Sequence, residues 1–160
     1  MKTEQRLPAW ALRAAEDDDR TAILALEEAG IRAAAEALWG TWRPSATPEE
    51  LDLTGHEMVV AGPQILGCIQ VLEHPDHMQI AKLYLAAPAR GTGLGAALLT
   101  LKKDLARHRD LSLRVRELTT KSRARAFYER EGFRLISETA ERWVWDWSPD
   151  PSSARPVTKP

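Results

Sequence analysis

The chain has 160 residues, with 22 Lys+Arg against 23 Asp+Glu and a formal net charge of −1. That is the length of one domain, which buries about 70% of its unfolded surface and needs no covalent or metal staple. The charge balance excludes a dedicated nucleic-acid coat, and the single cysteine, Cys68, excludes a disulfide framework or a Cys-rich zinc site. No apolar run approaches the ~20 residues that span a bilayer, and Met1 to Pro8 is polar, without a signal-peptide core. The expectation is a cytoplasmic single domain, monomer or homodimer, with neither nucleic acid nor membrane as partner.

Residues 1–7 read as a flexible start, 8–148 as the domain and 149–160, rich in proline, as a disordered tail. Ala9 to Ala14 reads as a short strand. The run Glu16-Asp17-Asp18-Asp19 suits the positive end of a helix dipole. That helix begins at Ile23, is interrupted at Gly30, and is followed by a second, alanine-rich helix to about Leu38. From Glu57 the period turns strand-like. Met58–Ala61, Ile65–Glu73 and Met78–Ala86 form three strands joined by Gly62-Pro63 and Glu73-His74-Pro75-Asp76, an antiparallel meander.

Gly93 to Arg107 has one apolar stripe, Leu94, Ala97, Leu98, Leu101 and Leu105, at helical spacing. Leu111 to Val115 follows as a strand. Ser122 to Arg130 is a short helix stopped at Gly132, and 133–137 with 142–147 make a closing hairpin whose Trp143, Trp145 and Trp147 share a face. The expected fold is α/β (α+β): a mixed, mostly antiparallel central sheet of about seven strands flanked by about four helices.

The turn Arg90-Gly91-Thr92-Gly93-Leu94-Gly95-Ala96 joins the third meander strand to the long helix. Glycines uncover backbone amides and a helix start leaves its first amides unpaired, so this turn suits phosphate oxygens. A tight turn with no ligand is one reading. A dinucleotide fingerprint is another, although it expects a carboxylate ~20 residues on, and the stretch Leu111 to Arg116 has none. A P-loop is excluded, because no Gly-Lys-Ser/Thr follows.

A third reading takes in more of the chain. Arg90, Gly93 and Gly95 match the Arg/Gln-x-x-Gly-x-Gly/Ala pyrophosphate motif of the GNAT superfamily of N-acyltransferases. Ala124-Arg125-Ala126-Phe127-Tyr128-Glu129-Arg130-Glu131-Gly132-Phe133 resembles that family's later Ala-x-x-Phe-Tyr-Glu-x-x-Gly-Phe segment, in the usual order and at the usual distance. The resemblance implies a GNAT-like fold and an N-acetyltransferase that moves an acetyl group from acetyl-CoA to a primary amine of a small molecule or peptide. It implies direct attack in a ternary complex, with no metal. A non-catalytic acyl-CoA-binding module is the alternative.

By the same resemblance, Arg90, Gly91, Thr92, Gly93, Leu94, Gly95 and Ala96 would hold the pyrophosphate. Leu83, Tyr84 and Leu85 would offer backbone groups to the pantetheine, with the Leu85 amide at the oxyanion. Tyr128 would act at the leaving sulfur, and Phe127 would pack beside the cofactor. Lys121 stands where the family often has an Asn that contacts the cofactor. The Glu that often serves as base is missing from the run Gln79 to Leu83, which leaves Glu57, Glu73, His77 or water. Trp39 and Trp42, flanking Gly40 in a stretch that resembles a Leu/Thr-Trp-Gly-Trp subgroup, are candidates for the acceptor wall or for core. The acceptor and the acyl chain preference stay open.

Overall fold

The computed structural model describes residues 9–150; the flexible start expected at 1–7 and residues 151–160 of the expected tail lie outside them. The seven strands are β1 (Ala11–Ala14), β2 (His56–Ala61), β3 (Gln64–Glu73), β4 (His77–Leu85), β5 (Ser112–Leu118), β6 (Arg134–Glu138) and β7 (Arg142–Trp147). The helices are α1 (Arg20–Trp39), α2 (Leu94–His108) and α3 (Ser122–Arg130). The sheet order is β1-β2-β3-β4-β5-β7-β6. Among neighbouring strands only β4 and β5 pair in parallel, and α2 is the crossover helix that joins them.

There are three helices rather than about four, because Gly30 does not break α1. The helix runs unbroken from Arg20 to Trp39 and ends at Gly40, which has φ +74. Gly30 instead allows a close crossing: a Cβ built there would lie 2.4 Å from the Tyr84 ring on β4. Ile23 of α1 closes a cluster with Met58, Cys68 and Leu51 on the same side of the sheet.

On the other side, α2 buries Leu94, Leu98, Leu99, Lys102 and Ala106. This corrects the expected stripe, since Leu101 is one of the two exposed large apolar side chains among the described residues. The i, i+4 row through residues 94, 98, 102 and 106 faces the sheet, and Lys102 is tolerated there because its ammonium pairs with Glu57. Met78, Ile80, Leu113 and Val115 meet α2, Tyr128 of α3 and the β7 tryptophans in one cluster. Trp143 and Trp145 pack edge to face at 6.2 Å, and Trp147 lies under Lys103 and Arg107. The three do share a face.

His56 is 3% exposed, and neither ring nitrogen makes a hydrogen bond of good geometry, the nearby Leu53 and Asp52 backbone groups offering only weak contacts. Burial first, and nearby Lys82 second, push its pKa down to about 4.

Two outcomes follow from this packing. Gly30→Ala is expected to lose up to about 2 kcal/mol, since overpacking costs about 1–3 kcal/mol and replacing a helical glycine returns about 1. In a Tyr84→Ala background it should instead stabilise by up to about 1 kcal/mol. Urea unfolding of the four proteins reads the sign, and stabilisation in the wild-type background contradicts the crossing. The second outcome concerns pH. Unfolded His56 titrates near 6.5 and folded His56 near 4, so the unfolded state binds the extra proton in that window. Acidification from 6.5 to 4 should therefore remove up to about 3 kcal/mol of stability. His56→Leu should flatten that part of the profile, and an unchanged slope would exclude His56 as its source.

Candidate functional site

β4 and β5 pair only from His77↔Ser112 to Ile80↔Val115. Beyond Ile80 they part, and a cleft of about 260 Å³ opens between residues 79–84 and 115–118, closed by Ile31, Tyr128 and Arg142. The parting coincides with a register shift: Val71 opposes Ile80 but Gln70 opposes Lys82, so Ala81 is an extra residue in β4. The bulge reverses the side-chain alternation. Met78 and Ile80 pack on the α2 side, and Leu83 and Leu85 pack there too. Lys82 and Tyr84 face α1, where they meet Glu27 and the cluster around Ile23.

The bulge also fixes which backbone groups are free. Ala86 N–H donates to Leu66 C=O. By antiparallel alternation, Tyr84 and Lys82 then exchange their bonds with β3, and the N–H groups of Leu83 and Leu85 point toward the parted β5. Of the three expected backbone donors, Leu83 and Leu85 face the cleft and Tyr84 does not. The Tyr84 ring lines the cleft instead.

At the end of β4, a 3-10 turn (Ala87–Ala89) leads into the glycine turn. Gly91 and Gly93 have φ +73 and +88, and Gly93 is the N-cap of α2. A Cβ at either would meet nothing within 4 Å. None of the six amides from Gly91 to Ala96 donates a hydrogen bond among the described residues. Six free donors at the positive end of a 15-residue helix make an anion cradle. Arg90 borders it, its Nε donating to Leu85 C=O at 3.0 Å. Gly95 sits differently: a Cβ there would meet the Phe127 ring at 3.4 Å, in van der Waals contact, so the α3 ring packs directly over this position and leaves no room for a branched side chain.

Tyr128 is 4% exposed yet lines the cleft. Its ring is held edge to face by Phe127 at 5.1 Å and Phe133 at 5.4 Å. Burial, and then Glu117, raise its pKa above the usual phenol value. Glu117 is the residue that sequence reasoning missed. It lines the cleft from β5, and its pKa is raised, chiefly by burial against a smaller opposing pull from Lys121. The missed signal was strand length: β5 runs to Leu118 rather than Val115, and the alternation that buries Leu113 and Val115 reaches Glu117 next. Lys121, the N-cap residue of α3, is 3.5 Å from that carboxylate and lies over the Tyr84 ring. It braces Glu117.

The three carboxylate and imidazole candidates lie elsewhere. Glu57 is paired with Lys102 and Glu73 with Arg109. His77 bonds Asp76 at 2.8 Å and stacks on His74 at the β3–β4 hairpin, the far end of β4 from the glycine turn. None lines the cleft. Trp42 lies under Arg32 and is also outside it. Trp39 is 44% exposed, hence not core, and lies under the cleft residue Arg142. Burial pushes the Cys68 thiol up to about 12, which makes it inert. Among the described residues, no group of three or more His, Cys, Asp or Glu side chains converges as a metal site.

Comparison with known proteins agrees with this arrangement. Residues 54–135 match the family described as "Acetyltransferase (GNAT) domain", so the chain belongs to the GNAT acetyltransferase family. The fold is also that of a PaiA N-acetyltransferase from Thermoplasma acidophilum in complex with coenzyme A. The two share 14% identity and a TM-score of 0.67 over 88% of this chain and 99% of that one. The ribosomal-protein-S18-alanine N-acetyltransferase of Escherichia coli matches at 15% identity and TM-score 0.65, over 88% and 94%. Arabidopsis thaliana Naa50, in complex with the bisubstrate analogue CoA-Ac-MVNAL, matches at 17% and 0.62, over 87% and 98%. No curated protein matches the sequence.

Gly95→Val tests the packing of this site. Its branches enter the Phe127 ring, and a loss of about 1–3 kcal/mol is expected from overpacking, read by thermal unfolding. Wild-type stability would contradict the close approach of α3 to α2.

Proposed function

We propose that the protein is an acetyl-CoA-dependent N-acetyltransferase that acts on a primary amine by direct attack in a ternary complex. The observation that carries this reading is the cleft between β4 and β5: a half-buried carboxylate and a buried phenol border it, and the anion cradle follows directly on β4. The cradle fits a pyrophosphate, since the open space at Gly91 and Gly93 is what a bulky polyanion against the backbone requires. Acetyl-CoA supplies an activated acetyl group as a thioester, and every other requirement falls on the chain.

The free amides of Leu83 and Leu85 offer an added-strand contact to an extended pantetheine arm. The Leu85 N–H is the donor for the developing oxyanion. Glu117 is the proton acceptor for the incoming amine: desolvation raises its basicity, and the neighbouring Lys121 cation limits that rise. As the C–N bond forms and the C–S bond breaks, the amine proton passes to Glu117 and the sulfur leaves as thiolate. Tyr128 faces that sulfur. A thiol has a pKa of about 8.5 and Tyr128 is held above the usual phenol range. The phenol therefore keeps its proton and stabilises the thiolate by hydrogen bonding.

Thiol release from acetyl-CoA in the presence of an amine panel tests the activity. No release with any amine, together with retained CoA binding, would favour the non-catalytic binding module. Glu117→Gln is expected to lower kcat by about 10²-fold, the lower range for a general base, with the donor KM within about twofold. Tyr128→Phe should lower kcat by at least about tenfold, since it deletes only the hydroxyl. Wild-type kcat in Glu117→Gln would return the proton to water, and wild-type kcat in Tyr128→Phe would leave that ring a packing role alone.

A further inference from the structure

The cleft is lined from both faces of the sheet, and its two sides, or mouths, differ in charge. On the α2 and α3 side lie the cradle, Glu117 and Tyr128, so the donor occupies that mouth in the reading proposed above. The other mouth opens under α1 and is lined by Ile31, Lys82, Arg116 and Arg142. Along the same face of β5 and β7, cross-strand pairing neutralises one cation and leaves two. Arg114 stands opposite Asp146 and bonds its carboxylate at 3.0 Å. Two residues further on, Arg116 stands opposite Val144, and Arg142 stands opposite Leu118. Neither Arg116 nor Arg142 has a carboxylate within 4.0 Å among the described residues, and these are the two arginines that border the cleft.

The remaining charges at this mouth do not cancel them. Glu27 is 4.0 Å from Lys82 and accepts a hydrogen bond from Ser45 at 2.8 Å, so it is already shared. Glu117, which lies close enough to Arg142 to feel its charge, is on the opposite face and is braced by Lys121. Arg142 is half-buried, and the Trp39 ring lies 5.9 Å from its guanidinium carbon. The ring is within cation–π reach, and the guanidinium N–H groups donate no hydrogen bond among the described residues. A half-buried guanidinium that is stacked but unpaired is suited to binding a carboxylate through two parallel hydrogen bonds.

We propose that the acceptor is a small amine that carries a carboxylate, an amino acid rather than a polyamine or a peptide N-terminus with a neutral first residue. Its anion is bound by Arg142, with Arg116 beside it, while its nitrogen reaches between the strands toward Glu117. Arg142 and Arg116 are then specificity-determining residues, and this rests on the acetyltransfer reading.

The test is steady-state thiol release from acetyl-CoA with alanine, serine and β-alanine, each against its own carboxamide. The acids should exceed their amides in kcat/KM by at least about tenfold. Arg142→Gln should erase that preference by raising the acid's KM about tenfold, with the donor KM within about twofold, and Arg142→Lys should keep part of the preference. Amides that equal or exceed their acids would overturn the inference, as would an Arg142→Gln variant that loses acid and amide equally. A carboxamide-capped tripeptide that outruns every acid would overturn it too. Thiol release with amides alone removes this inference and leaves the acetyltransfer reading, whereas release with no amine at all removes both.

Discussion

The separation of β4 from β5 after four paired residues governs the arrangement of everything around it. Its cause is local: one extra residue, Ala81, that β3 cannot match. A bulge re-aims the side chains after it and ends pairing on that edge, and here it does both. It turns Lys82 and Tyr84 toward α1, turns Leu83 and Leu85 toward α2, and leaves two backbone donors with no strand to meet. The surrounding elements accommodate the gap. α1 crosses Tyr84 at a glycine so that it can lie over the parted strands, and Phe127 of α3 packs over Gly95 of α2 while Tyr128 closes the floor.

Charge is distributed to match that geometry. Buried ion pairs contribute little net stability compared with apolar packing, and breaking one is costly. Lys102–Glu57 and Lys103–Glu131 tie α2 and the loop after α3 into the core away from the cleft. Lys121–Glu117 and Lys82–Glu27 stand at the cleft itself, one on each side of the sheet. The first opposes the rise that burial imposes on the Glu117 carboxyl. The second spends one cation of the α1 mouth and leaves the arginines free.

Much of this was legible from sequence. The glycine turn and the Phe127-Tyr128 segment identified the family, and strand-like alternation located all seven strands. What was missed follows from two limits of periodicity. Gly30 is a poor helix former, so it reads as a break, and only the Tyr84 ring across the interface explains why a helix tolerates it. An apolar stripe assigns Leu101 inward and Lys102 outward, yet Glu57, 45 residues away, reverses them. The same limit hid Glu117: arginines at 114 and 116 obscured a strand whose buried face continues to residue 118. Pairs across distant strands decide which charged residues are tolerated inside, and no local pattern contains them.

The central claim is that the parted strands and the turn after β4 form one continuous site for the acyl donor. Its most direct test is a titration of the labelled protein with coenzyme A, followed through backbone amide NMR shifts. The amides from Gly91 to Ala96 should shift together with those of Leu83 and Leu85, at a common Kd, while His77 and Glu73 at the far hairpin stay unmoved. Shifts confined to the hairpin, or shifts in the glycine turn that leave Leu83 and Leu85 untouched at saturation, would contradict it.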